Sequence, residues 1–239
     1  MIPEATVKND VFSHKGALRN SRRTRVKICG LTRGDDVVAA VSAGADAIGL
    51  VFYGVSPRYV TPEAAFGLMK LVPPFVSTVG LFVNAEPDQV AAVLERAPIS
   101  LLQFHGDETV AQCAAIARRV NKPFLKAVRM GADVGRGDLL ELDRNCRVAS
   151  DLFAGLLLDA FADGYGGSGK VFDWSLIPEK LAPRVVLSGG LSAQNAIEAV
   201  TSVRPWAVDV SSGVELSKGI KDAAKIDAFV RQIRLADES

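Results

Sequence analysis

From Val26 onward, short runs of β-branched and aliphatic residues alternate with amphipathic segments, and the alternation repeats eight times. The runs are "VKIC", "AIGLVF" (47–52), "STVGLFV" (77–83), "SLLQF" (100–104), "PFLKAV" (123–128), "GLLLD" (155–159), "VVLSG" (185–189) and "WAVDVS" (206–211). Between them lie segments such as "DDVVAAVSAGA", "PEAAFGLMKLV", "PDQVAAVLERA", "ETVAQCAAIARRV" and "SAQNAIEAVTSV". Their apolar spacing is helical, and Pro, Asp or Ser stands at their starts. Eight strand–helix units in a chain of 239 residues, with no break in composition between its halves, predict one closed (β/α)8 barrel over residues 25–239. An open doubly wound sheet is the alternative. It wants a GxGxxG turn after the first strand, and "CGLTRG" supplies none.

Residues 1–24 lack a periodic apolar pattern and carry most of the basic bias, around "RNSRRTR", so they read as a flexible extension. Glu4 and Asp10 argue against a targeting peptide, and "MIPEATVKNDVFSHKG" has no hydrophobic centre of a secretory signal. No apolar run reaches the roughly 18 residues of a membrane span. The net charge of +1 gives no electrostatic footprint for nucleic acid. Cys29, Cys113 and Cys146 are odd in number and widely spaced, which argues against a disulfide framework or a structural zinc. These features point to a cytoplasmic protein, with neither membrane nor nucleic acid as partner, that acts on a small molecule.

In such a barrel the functional groups sit after the C-terminal ends of the strands. Cys29 ends strand 1, Arg58 follows strand 2 in "YGVSPRYV", His105 follows strand 4 in "FHGDE", and Asp159 ends strand 6. The turns "LSGGLS" and "VSSGVE" follow strands 7 and 8, where glycine lets backbone amides approach a phosphate. A phosphorylated ligand is expected. Taken singly, each residue has a plainer reading: a lone strand cysteine is usually a buried small hydrophobe, and Cys113 and Cys146 on helical stretches read as packing residues. The ring around one mouth is what favours function. "GYGGSGKV" (164–171) follows the GxxxxGK phosphate pattern up to Val171, where nucleotide hydrolases need Ser or Thr for magnesium. It reads instead as a loop able to close over the mouth.

Within "RVKICGLT", Lys27 and Cys29 share one strand face. If Cys29 lines the mouth, Lys27 lies deeper inside the barrel, where an ammonium must be paired. Strand 8 closes the barrel beside strand 1, and Asp209 of "WAVDVS" alternates onto the facing side, so a Lys27–Asp209 ion pair is expected.

The motifs "KICGLT", "SPRYV", "VGLFVN", "FHGDE", "LLLDA" with "YGGSGKVFDW", "LSGGL" and "VDVSSGVE…KGIKD" together resemble the phosphoribosylanthranilate isomerase family of tryptophan biosynthesis, from about Val26 to Ile233. The resemblance implies an Amadori rearrangement of an aldose to a ketose without metal or other cofactor, by a monomer or homodimer. Cys29 matches the family's general base and Asp159 its general acid. Arg58 fits the ligand of the anthranilate carboxylate, His105 a further substrate contact, and Gly189, Gly190, Ser212 and Gly213 the phosphate loops. The chemistry asks for a Cys29 thiol lowered by about one unit and an Asp159 that holds its proton near neutrality. An indole-forming lyase on the same barrel is the alternative enzyme, with Lys126 as its acid. A non-catalytic sensor of phosphoribosyl ligands is the other alternative.

Overall fold

The computed structural model describes residues 23–131, 134–160 and 171–239. Eight parallel strands close into a barrel in sequence order: β1 (Arg25–Cys29), β2 (Ala47–Val51), β3 (Ser77–Phe82), β4 (Leu101–Phe104), β5 (Phe124–Met130), β6 (Phe153–Ala160), β7 (Val186–Leu187) and β8 (Ala207–Val210). β8 returns to β1 with Lys27 directly opposite Asp209. The eight apolar runs are therefore the eight strands, and closure leaves no sheet edge exposed.

Helices α1 (Gly34–Ala43), α2 (Pro62–Met69), α3 (Pro87–Arg96), α4 (Val110–Val120), α5 (Arg136–Ala149), α6 (Ala196–Val203) and α7 (Ala223–Glu238) wrap the strands. Their starts follow the expected chemistry. Thr61 accepts the Ala64 N–H ahead of Pro62, Thr109 and Gln112 form a reciprocal capping box, and Asp222 accepts from the amides of Ala224 and Lys225. Among the described residues no helix is long and apolar enough to cross a membrane.

Two expectations are corrected. The unit after β6 has no α-helix among the described residues. It carries two 3₁₀ turns instead, Trp174–Leu176 and Ala182–Arg184, because Pro178 and Pro183 remove the amide donors a continuous helix needs. The barrel's contacts also begin before residue 25. Thr24 is buried and donates its N–H and hydroxyl to Asp237 at 2.8 and 2.6 Å, and Arg23 pairs with Asp46. The rest of the extension and the 164–170 loop lie outside the described residues.

The core has two compartments. The larger one lies between strands and helices and holds Ile28, Ile48, Leu102, Phe104, Leu156 and Phe229. The smaller one fills the barrel with Leu125, Ala127, Leu157, Val186 and Ala207. The next inward positions toward the strands' C-terminal ends are polar, and the cavity opens there.

Candidate active site

Strand alternation puts every second residue of each strand inside the barrel mouth. Cys29, Val51, Leu81, Gln103, Asp159 and Asp209 all line one cleft, together with Arg58, His105 and the loops after β7 and β8. Its floor is the expected ion pair. Lys27 Nζ lies 2.8 Å from Asp209 Oδ1, with both side chains 5 % exposed, and the Ser188 hydroxyl donates to Asp209 Oδ2 at 3.4 Å. Burial would lower the Lys27 ammonium, but Asp209 and the neighbouring Cys29 sulfur outweigh it and raise it to about 12.

Cys29 sits directly above this pair. On the neighbouring strand Gly49 is its register partner, and a Cβ there would fall 2.7 Å from Cys29 Sγ and 3.1 Å from Lys27 Nζ. Glycine at 49 is what lets thiol and ammonium approach each other. The thiol is nevertheless raised, against expectation: burial pushes it up, Lys27 pulls it down, and Asp209 pushes it up again. The cation meant to favour the thiolate is already committed to a carboxylate.

On β6, across the cleft, Asp159 Oδ2 lies 3.0 Å from His105 Nε2, and His105 Nδ1 lies 2.8 Å from Gln103 Nε2. Both imidazole nitrogens are thus engaged by protein groups. The loop carrying His105 is held by Glu108, which accepts from the amides of Asn84 and Gly106. Gln103 is the inward alternate two residues before His105, and that spacing on β4 is the signal that could have found it.

Arg58 reaches the cleft from the β2 loop, where it bonds Glu215 through Nε at 2.7 Å and Nη2 at 2.8 Å. Gly189 and Gly190 line the cleft with φ of 83° and 65°, and Ser212 lines it beside them. Gly213 is not among the lining residues. A Cβ there would lie 1.9 Å from the Leu191 carbonyl oxygen, so glycine at 213 lets the β8 loop pack on the β7 loop. Lys126 points the other way. It lies on the outward face of β5, and its Nζ donates to the Gly106 carbonyl at 2.9 Å and faces Glu108 at 3.5 Å. Glu215, Lys221, Gln103 and Ser188 are among the polar groups of the site that the sequence had left without a role.

The family model for N-(5'-phosphoribosyl)anthranilate (PRA) isomerase matches residues 26–232. A curated relative, the N-(5'-phosphoribosyl)anthranilate isomerase of Herminiimonas arsenicoxydans, is 64% identical over 215 residues, covering 90% of this chain and 95% of the relative. The crystal structure of phosphoribosylanthranilate isomerase from Thermotoga maritima superposes with a TM-score of 0.77 at 42% identity, covering 88% of this chain and 98% of that one. A phosphoribosylanthranilate isomerase in complex with reduced 1-(o-carboxyphenylamino)-1-deoxyribulose 5-phosphate gives a TM-score of 0.74 at 39% identity, over 88% and 98% of the two chains.

Proposed function

This chain belongs to the N-(5'-phosphoribosyl)anthranilate isomerase family and catalyses the Amadori rearrangement of N-(5-phosphoribosyl)anthranilate to 1-(2-carboxyphenylamino)-1-deoxyribulose 5-phosphate, and from that premise we propose how its cleft divides the work. Asp159 donates a proton to the ribose ring oxygen as the bond from that oxygen to C1 breaks, and the nitrogen lone pair forms the iminium. Cys29, as thiolate, takes the proton from C2 to give the enolamine, which becomes the ketose as C1 gains a proton and the C2 hydroxyl loses one. The observation that carries this reading is that Cys29 and Asp159 face one cleft from β1 and β6. His105, held between Gln103 and Asp159, orients the acid. The amides around Gly189, Gly190 and Ser212 receive the phosphate, and Gly213 brings their two loops together. The three cysteines are unpaired and buried, which supports a cytoplasmic location.

A base that starts as a raised thiol has a pH signature. Its thiolate, read as the ultraviolet absorbance that the intact protein gains over Cys29→Ala, should still be growing past pH ~8.5, the ordinary thiol value, because burial disfavours the charged form. A thiolate already complete at pH 7 would mean that burial does not govern this thiol.

Arg58 is the proposed ligand of the anthranilate carboxylate. Arg58→Lys keeps a positive charge but loses the planar fork, so kcat/KM should fall by about 1–3 kcal/mol, and far less for an analogue without the carboxylate. The readout is loss of substrate fluorescence, with phosphoribosylanthranilate generated in situ. Equal losses for the two substrates would place Arg58 elsewhere. Neither alternative gains support. The lyase needs a lysine acid in the mouth, and Lys126 faces outward. A passive sensor has no use for a thiol and a carboxyl on opposite walls of one cleft.

A further inference from the structure

Arg58 is gripped by a hairpin beyond the barrel. β9 (Glu215–Ser217) and β10 (Ile220–Lys221) pair antiparallel, with Lys221 opposite Glu215. The Glu215 carboxylate accepts from Arg58 Nε and Nη2, from Lys221 Nζ at 3.0 Å and from the Gly219 amide at 3.3 Å. Lys221 Nζ, on a side chain with no exposure at all, also donates to the Ser211 carbonyl at 3.0 Å and the Ser211 hydroxyl at 3.2 Å. Ser211 is itself a wall of the cleft.

Two consequences follow from the chemistry of these groups. The first concerns geometry. Glu215 takes the Nε–Nη2 side of the guanidinium, and among the described residues no acceptor is bonded to Nη1. The end of the fork, Nη1 with the second proton of Nη2, is left without a protein acceptor among the described residues, on a side chain that lines the cleft, and it can hold a second carboxylate by two parallel bonds. The second concerns charge. Arg58 and Lys221 are two cations around one carboxylate, which leaves one positive charge in excess at a largely dry site. Such an excess is costly until an anion meets it. Glu215 stays ionised there: burial pushes its carboxyl up, but the bonds from Arg58 and Lys221 outweigh that and hold it below its ordinary value.

We infer that Glu215 and Lys221 are positioning residues that set the enzyme's preference for a carboxylate-bearing aromatic amine. Glu215 fixes the guanidinium side-on so that its end faces the substrate, and Lys221 supplies the cation that balances Glu215 and leaves the charge of Arg58 for the ligand. The inference rests on Arg58 being the carboxylate ligand.

The test compares steady-state kinetics of the intact protein on phosphoribosylanthranilate and on the corresponding aniline phosphoriboside, which lacks the carboxylate. Glu215→Gln and Lys221→Met should each raise KM for the first substrate by about tenfold or more, with kcat within about threefold. KM for the aniline compound should move less than about twofold. Lys221→Met leaves Glu215 bonded to Arg58 and so folds even if Glu215→Gln, which strands a buried ammonium, does not; it then decides alone. Arg58→Met separates the two levels. If it leaves the preference for the carboxylate intact, the reading of Arg58 itself fails. If it abolishes the preference while Glu215→Gln and Lys221→Met leave KM unmoved, or depress both substrates alike, the positioning role fails.

Discussion

Cys29→Ala and Asp159→Asn should each lower kcat by about 10² or more, the usual loss on removing a positioned base or acid, while leaving the barrel folded. Both replacements suit their surroundings. Cys29 is buried against Gly49 and the Lys27–Asp209 pair, so alanine leaves a space of a single sulfur atom and exposes no new polar group. Asparagine at 159 keeps a carbonyl oxygen within reach of His105 Nε2 and removes only the ability to give a proton. Thermal unfolding should therefore be nearly unchanged as turnover collapses. Near-parental kcat in either variant would strip that residue of its role, and a matching collapse in stability would reassign the loss to folding.

Lys27→Met should cost about 3–5 kcal/mol of stability, because it leaves Asp209 ionised, buried and without its cation. The Ser188 hydroxyl at 3.4 Å is too weak a donor to replace an ammonium at 2.8 Å. The paired variant Lys27→Met/Asp209→Leu removes both charges and should return to within about 1–2 kcal/mol of the parent, since apolar side chains can fill the space of a buried pair. Urea unfolding of the four proteins gives the cycle directly. Strictly additive losses would mean that the two groups contribute independently.

The pair was legible in the sequence because two local rules meet there: side chains alternate along a strand, and closure sets β8 beside β1. The strands were legible for a similar reason, since each is an apolar run bounded by turn residues. The sixth unit was misread although its signal was present. Pro178 and Pro183 forbid a continuous helix, and the regular count of repeats overrode them. The grip on Arg58 was not legible at all. It joins a loop after β2 to a hairpin after β8, and no spacing in the chain announces a contact between positions 157 residues apart. The chemistry asks for a lowered Cys29 thiol, and Lys27 on the same face was expected to favour the thiolate with Asp209 partly cancelling that pull. The thiol's rise depends on how completely it is buried and on Asp209 claiming the same ammonium, and neither is a property of the strand alone.

The closure of β8 onto β1 also fixes an order of assembly. Lys27 and Arg58 leave the ribosome well before Asp209 and Glu215, which stand 182 and 157 residues further along. At typical synthesis rates of about 5–20 residues per second, each cation waits on the order of 10 s or longer for its carboxylate. Through that interval the nascent chain carries Cys29 and Arg58, but neither the Asp209 carboxylate beneath the thiol nor the hairpin that bonds the guanidinium. The cleft is thus completed late, with α7 still to follow, and it arrives together with the contact that seals the barrel.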